Sequence, residues 1–198
     1  MTSPFERFSV ADVRTLIADY PLAWVAPREG PASAACLLPL LGDYGEDGAL
    51  VALAGHSPRR FPLIEAVAGD PRTTILFTGP QGYVSPEHAG WRDWGPTWNF
   101  AQVAVEGDLE LLPDFTGTAI DRLVDTMETG RPAPWQASEL GERYAGMAAQ
   151  VIGFRIAVTG LTGRFKLGQD ERPDVLQSIL DKHPDPALVA WMRRMNAR

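Results

Sequence analysis

Short apolar segments separated by turn residues constrain the fold of this chain more than any other feature. The segments "LAWVAP", "AACLLPLL", "ALVALAGH" and "TTILFTG" are too short for typical helices, and Gly, Pro or Asp residues bound them. This length and punctuation are typical of buried strands. The loop "GDYGEDG" at 42–48 predicts a hairpin. Two later alternating segments, starting at Ala101 and Val151, bring the prediction to six or seven strands.

Predicted helices interrupt these strands without a regular β-α-β alternation. A first helix lies behind a Ser9 cap and ends before Pro21, and a short helix runs from Pro62 to Gly69. Helical periodicity predicts four more helices, in segments 114–132, 138–150, 173–180 and 186–195. The irregular segments are expected at 77–91 and at a glycine-rich turn at 160–163. The pattern predicts an α+β, mainly β protein, an antiparallel barrel decorated with helices.

Length and charge exclude several classes of protein. The 198 residues fit one domain, 1–198, with an N-terminal helix and C-terminal helices at about 172–198. A net charge of −7 opposes general attraction to nucleic acid, and the basic clusters at 58–60 and 191–198 are short. The chain has no apolar run of membrane-spanning length and no signal-peptide pattern, so a cytoplasmic location is expected. Its single cysteine excludes an intramolecular disulfide.

The segment "GHSPRRFP" at 55–62 is a candidate anion site between a strand and a helix. Backbone N–H groups are free at a helix N-terminus, and His56, Ser57, Arg59 and Arg60 add further donors. A phosphate group fits such a turn. The alternative, equally compatible with the spacing, is that the arginines are surface charges and Ser57 is a helix cap.

Three further segments carry side chains suited to binding. "FTGPQGYVSPEHAGW" contains Tyr83 and Ser85, "GPTWNF" contains Trp98 and Asn99, and "GRFKLGQD" contains Lys166 and Gln169. The alternatives are that the aromatic residues cover the barrel and that the lysine is solvated. No paired carboxylates, Ser-His-Asp order or metal-ligand spacing stands out, so hydrolysis and a metal site are disfavoured, and no catalytic residue is predicted.

Four motifs in order closely resemble the PaiB family, known as FMN-binding negative transcriptional regulators. These motifs are "GHSPRRFP", "ILFTGPQGYVSP", "GPTWNFAQVAVEG" and "IGFRIAVTGLTGRFKLGQ". The chain is more distantly similar to the pyridoxamine 5′-phosphate oxidase-like split barrels. The resemblance implies an antiparallel six- to seven-stranded split β-barrel that forms a homodimer and binds FMN at the subunit interface.

The resemblance also implies which residues bind the cofactor. The turn at 56–60 matches the basic turn that supplies the flavin phosphate site, and Trp98 matches an indole that can wall an isoalloxazine. The implied FMN-binding residues are His56, Ser57, Arg59, Arg60, Tyr83, Ser85, Trp98, Asn99, Lys166 and Gln169. The chain departs from the family pattern at four positions, namely Pro58, Phe61, Gly168 and Asp170.

Three functions follow as alternatives. The first is an FMN-binding split barrel in which any redox chemistry belongs to the isoalloxazine, which includes an FMN-dependent oxidoreductase. The second is a DNA-binding repressor without flavin chemistry, against which the acidic charge and the lack of a helix-turn-helix pattern both argue. The third is a haem-binding split barrel with His56 or His88 as an axial ligand.

Overall fold

Seven antiparallel strands form one sheet in this computed structural model, which describes residues 3–197. The strands are β1 (Leu22–Pro27), β2 (Cys36–Pro39), β3 (Leu41–Tyr44), β4 (Leu50–Pro58), β5 (Arg72–Val84), β6 (Thr97–Leu111) and β7 (Val151–Lys166). Their order in the sheet is β2-β1-β5-β6-β7-β4-β3. The predicted α+β class and antiparallel barrel architecture are confirmed.

Within residues 3–197, seven α-helices decorate the sheet. They are α1 (Val10–Asp19), α2 (Pro62–Gly69), α3 (Pro86–Ala89), α4 (Thr116–Glu128), α5 (Arg143–Ala148), α6 (Pro173–Lys182) and α7 (Pro186–Asn196). Short 3-10 turns occur at Pro4–Glu6, Ala32–Ala34, Pro113–Phe115 and Ala137–Leu140. No helix within residues 3–197 has the length and apolarity to cross a membrane.

Several predicted boundaries of strands and helices were wrong. In the strands, glycine and proline residues that favour turns lie at β-bulges or within the paired ladder. Residues 42–44 belong to β3, so the hairpin loop is shorter than expected. The predicted irregular segment at 77–91 is strand as far as Val84, with a register shift between Thr78 and Gln81. The expected turn at 160–163 is absent, because these residues continue to pair with β6. The predicted helix at 138–150 divides into a 3-10 turn and α5.

The first and last α-helices are joined by an ion pair whose carboxylate is buried. Ser9 caps α1 as predicted, and its backbone N–H donates to Asp12 Oδ2 at 2.7 Å. Arg194 on α7 donates from Nε to Asp12 Oδ1 at 2.8 Å, where Asp12 is fully buried. Because a buried charge is costly without a partner, this pair holds α7 against α1.

The apolar side of α7 belongs to the barrel core. Leu188, Trp191, Met192 and Met195 are all buried and pack in the same cluster as the inward side chains of the strands. Burial of such side chains contributes about 1.5–3 kcal/mol each. The C-terminal helix is therefore packed onto the barrel through the same core.

The long strands β6 and β7 position the candidate site. Their ladder runs from Phe100 paired with Lys166 to Leu111 paired with Phe154. Side chains alternate along these strands, so that Val103 and Val105 face the core while Gln102 and Ala104 face outward. A register shift between Glu106 and Gly107 interrupts the regular pairing of this ladder.

Candidate flavin site

The basic turn, residues 56–60, joins the end of β4 to the segment before α2. The backbone N–H of Arg59 donates to the Gln150 carbonyl at 3.0 Å, and its Nε donates to the Ala149 carbonyl at 3.2 Å. Arg60 is exposed, and no ion pair or side-chain hydrogen bond involves it within the described chain. Helix α2 starts at Pro62 and has no side-chain cap. Arg60 is thus available for an anion near this helix N-terminus.

His56 is the residue of the basic turn whose hydrogen bonding is incomplete. Its Nδ1 is the one buried side-chain nitrogen or oxygen in residues 3–197 that lacks a partner. His56 lies opposite Gly153 in the pairing of β4 with β7. The backbone N–H of Gly153 donates to Thr116 Oγ1 at 2.9 Å. Ser57 is fully buried and follows His56 in the strand, so the two side chains point to opposite faces. Only one of them can face a given ligand directly.

Burial lowers the pKa of His56, because the imidazolium form is penalised by desolvation. The folded-state pKa therefore lies below the ordinary value of 6.5 found in the unfolded chain. We expect the free energy of unfolding to be unaffected by His56 above pH 6.5. It should decrease as the pH falls from that value towards the folded-state pKa.

Chemical denaturation of the cofactor-free protein between pH 8 and pH 5, compared with His56→Gln, measures this contribution. The variant should lose less stability on acidification than the wild type. Identical pH dependence in both proteins would contradict the buried neutral state of His56.

The aromatic wall, Tyr83 and Trp98, lies on the outer face of the barrel. These residues pair across β5 and β6, with ring centroids 6.0 Å apart, and about half of each side chain is exposed. Lys166 donates from Nζ to the Trp98 carbonyl at 3.3 Å and also to Thr97 Oγ1. A half-exposed pair of rings beside an ammonium group can accommodate a planar, electron-rich ligand.

The backbone behind the wall is fixed by a histidine that the sequence did not single out as a site residue. Nδ1 of His183 accepts the N–H of Asp185 at 3.2 Å, so its Nε2 carries the proton. That Nε2 donates to the Tyr83 carbonyl at 3.3 Å. His183 thus holds the end of β5 that carries Tyr83.

Three of the predicted site side chains are engaged elsewhere. Asn99 is buried on the face opposite Trp98, where its Nδ2 donates to Met192 Sδ at 3.6 Å. Ser85 caps α3 by accepting the N–H of Glu87 at 3.1 Å. Gln169 braces the end of β7, since its Nε2 donates to the Phe165 carbonyl at 2.6 Å and its Oε1 accepts the Leu167 N–H at 2.8 Å.

The basic turn and the aromatic wall lie at opposite ends of strand β7. Pro58 of the turn pairs with Val151 at the start of β7, whereas Lys166 beside the wall ends this strand. At 3.3 Å per residue, the strand path between these ends is roughly 50 Å. The residues of the predicted site therefore form two separate groups within one protomer.

Sequence reasoning missed Gln102 and Arg164, which lie on the outer face near the wall. They line a cavity of about 430 Å³ together with Glu6, Phe8 and Thr162. Gln102 also lines a neighbouring cavity of about 230 Å³ beside Phe100 and Gln81. The alternation of "FAQVAVEG" places Gln102 outward, so this pattern was the signal that could have identified it.

An apolar row continues from this cavity across the sheet. Leu37, Trp24, Leu76, Ala104 and Thr162 are successive partners on five neighbouring strands and share the outer face. Trp24 is 48% exposed and Leu37 is 44% exposed. Leu22, two residues before Trp24 on the same face, is 52% exposed. A contiguous apolar surface of this kind is typical of a protein–protein interface.

The side chains present fit a flavin mononucleotide. The basic turn offers the unpartnered Nδ1 of His56, the Arg60 guanidinium and a helix N-terminus to a phosphate. The aromatic wall offers an exposed apolar surface to a planar ring system. The fold defines this protein as a split barrel, and the side chains of the candidate site are compatible with FMN.

The chain belongs to the family described as "Putative FMN-binding domain", whose model matches residues 1–160. The matched region contains the basic turn and the aromatic wall, while α6 and α7 lie beyond it. FMN is the cofactor that this membership assigns. No curated protein matches the chain significantly.

Solved structures of other proteins share the fold. The FAD and haem binding protein from Mycobacterium smegmatis is similar with a TM-score of 0.61 at 19% identity, over 89% of this chain and 79% of that one. The flavocytochrome Anf3 from Azotobacter vinelandii has a TM-score of 0.59 at 15% identity, over 91% and 76%. The conserved hypothetical protein Rv2991 from Mycobacterium tuberculosis has a TM-score of 0.55 at 13% identity, over 84% and 90%.

Proposed function

We propose that this protein is a homodimer that binds FMN between its two protomers. The basic turn of one protomer holds the phosphate, and the aromatic wall of the other contacts the isoalloxazine. The observation that carries the proposal is the placement of these two groups at opposite ends of β7. In a two-fold dimer, each contact between two different parts of the chains occurs twice. If the basic turn of one protomer meets the aromatic wall of the other, the dimer therefore contains two equivalent sites.

The outer sheet face supplies the contact between the protomers. Trp24, Leu37 and Leu22 form its exposed apolar part, and Leu76 and Ala104 connect this part to the cavity beside the wall. Because the interface is continuous with the ligand site, formation of the dimer excludes water from the flavin. In the dimer, Gln102 and Arg164 border the same cavity and add polar groups to its lining.

Each group of residues has a distinct role towards the cofactor. Bound FMN supplies hydride or electron transfer at its isoalloxazine. Arg59 and Arg60 neutralise the phosphate, and His56 completes its own hydrogen bonding by donating from or accepting at Nδ1. Lys166 lies beside the wall, where its positive charge favours an electron-rich or reduced ring.

A fluorescence titration of FMN into the cofactor-stripped protein tests the binding. Flavin emission should be quenched on stacking against Trp98, with a Kd of about 1 μM or tighter. Light scattering on the same sample should give a mass of two chains. Unquenched emission at saturating protein, or binding by a monomeric species, would contradict the proposal.

Haem is a second candidate ligand, which the unpartnered Nδ1 of His56 favours. The other histidine considered for this role, His88, is engaged, because its Nδ1 accepts the Ser85 N–H at 3.2 Å. Protein produced with a haem supply should show a Soret band that His56→Ala removes and His88→Ala retains, if haem is bound through His56. Absence of the band from the wild type would eliminate this alternative.

A regulatory role would require contact with DNA, for which the arginines of α7 give little support. Arg194 is held by Asp12 and by the Ala11 carbonyl, at 3.2 Å from its Nη2. Arg193 remains exposed on this helix. A gel-shift assay with promoter-proximal DNA across a salt series tests the role, and retardation equal to that with competitor DNA would argue against it.

A further inference from the structure

A cavity of about 410 Å³ lies between α1, β3 and α4, where none of the candidate flavin residues contributes. Ile17 and Ala18 of α1 and Leu41 of β3 give it an apolar floor. Its size is in the range of small-molecule sites, which combine an apolar lining with a few polar groups.

On the polar side of this cavity, the side chains of Tyr44 and Arg14 stack on each other. The Tyr44 ring lies across its own strand over Gly42, where a Cβ atom would come 2.5 Å from the phenol oxygen. The Arg14 guanidinium carbon lies 4.8 Å from the centre of the Tyr44 ring. The absence of a side chain at Gly42 therefore allows Tyr44 to fold back, and Tyr44 in turn holds Arg14 at the cavity.

The charged residues that line the cavity are Arg14, Arg122 and Asp125. No ion pair involves Arg14 within residues 3–197, and its guanidinium lies over the Tyr44 ring. Asp43 is shared between two guanidinium groups, those of Arg122 at 2.6 Å and Arg155. Asp125 also lines the cavity and repels an anion, whereas Arg14 attracts one, so Arg14 is the group that we expect to receive a carboxylate.

We propose that this cavity binds a small organic acid with one carboxylate and a short apolar body. Arg14 receives the carboxylate, and the floor of Ile17, Ala18 and Leu41 receives the apolar body. Burial raises the pKa of the Tyr44 phenol above its ordinary value, so this group is a neutral hydrogen-bond donor at physiological pH. The site is independent of the proposed flavin site.

Calorimetric titration of the full chain with benzoate, and with benzamide as its neutral analogue, tests this site. Benzoate should bind at low ionic strength and benzamide should bind at least about tenfold more weakly. Arg14→Gln should weaken benzoate by at least about tenfold, since it removes a charged hydrogen-bond donor. Arg7→Gln removes the same charge from another exposed position near the N-terminus and should leave benzoate binding unchanged.

The same variants give the results that would overturn the site. Because Arg14 is exposed, its substitution leaves the core intact, and circular dichroism verifies folding. Equal affinity of Arg14→Gln and wild type for benzoate, equal affinity of wild type for benzamide and benzoate, or no benzoate binding would each refute it. FMN affinity should be the same in Arg14→Gln and wild type, so the result is independent of the flavin proposal.

Discussion

Replacement of both Arg59 and Arg60 by alanine is expected to weaken FMN binding by about 100-fold, since a hydrogen bond to a charged group contributes about 1.5 kcal/mol or more. Riboflavin has the same ring system without the phosphate, so its affinity should change by less than about threefold. Parallel fluorescence titrations of the two ligands measure the difference.

The matched control for this variant removes two other exposed arginines, Arg7 and Arg193, which lie outside the basic turn. It has the same net charge as the double variant, so it separates phosphate contact from general electrostatic attraction. Equal weakening of FMN and riboflavin by Arg59→Ala/Arg60→Ala would refute the phosphate assignment.

The second large effect is expected from Trp24→Asp, which places a charge at the centre of the exposed apolar row. Trp24 pairs with Leu37 on one side and with Leu76 on the other. Burying an unpaired carboxylate there is costly enough to separate the protomers. Light scattering should show a monomer, and FMN binding should be lost with the dimer.

Val51→Asp is the control, because Val51 is 50% exposed but lies on β4 near the opposite edge of the sheet. This variant should remain dimeric and bind FMN. A Trp24→Asp protein that stays dimeric would place the interface elsewhere, whereas a monomer that binds FMN as tightly as wild type would refute the shared site.

Local physical chemistry made much of the fold predictable from sequence. The Ser9 cap, Pro62 at the start of α2 and the apolar runs of β1 and β4 each act over a few neighbouring residues. The continuation of β5 and β7 was missed, because cross-strand pairing outweighs the local preference of glycine and proline for turns. Pairing partners lie far away in the sequence.

The candidate site was predictable only in part, for a related reason. Residue type identified the basic turn and the aromatic wall, but not the faces of their side chains. Asn99 faces inward because its neighbour Trp98 faces outward. The partner of Asn99, Met192, lies 93 residues away in the chain. The separation of Arg59 from Lys166 depends on the length of β7, which local sequence patterns do not fix.

Complementation between two inactive variants tests most directly whether one flavin is held by two protomers. One partner carries Arg59→Ala/Arg60→Ala, and the other carries Tyr83→Ala/Trp98→Ala at two half-exposed positions. Neither variant alone should bind FMN tightly. After unfolding and refolding together, half of the dimers should be mixed, and each mixed dimer should contain one intact site, so roughly one site in four should recover tight binding. Titration of the mixture measures this fraction, and no recovery in verified mixed dimers would show that the turn and the wall do not meet across the interface.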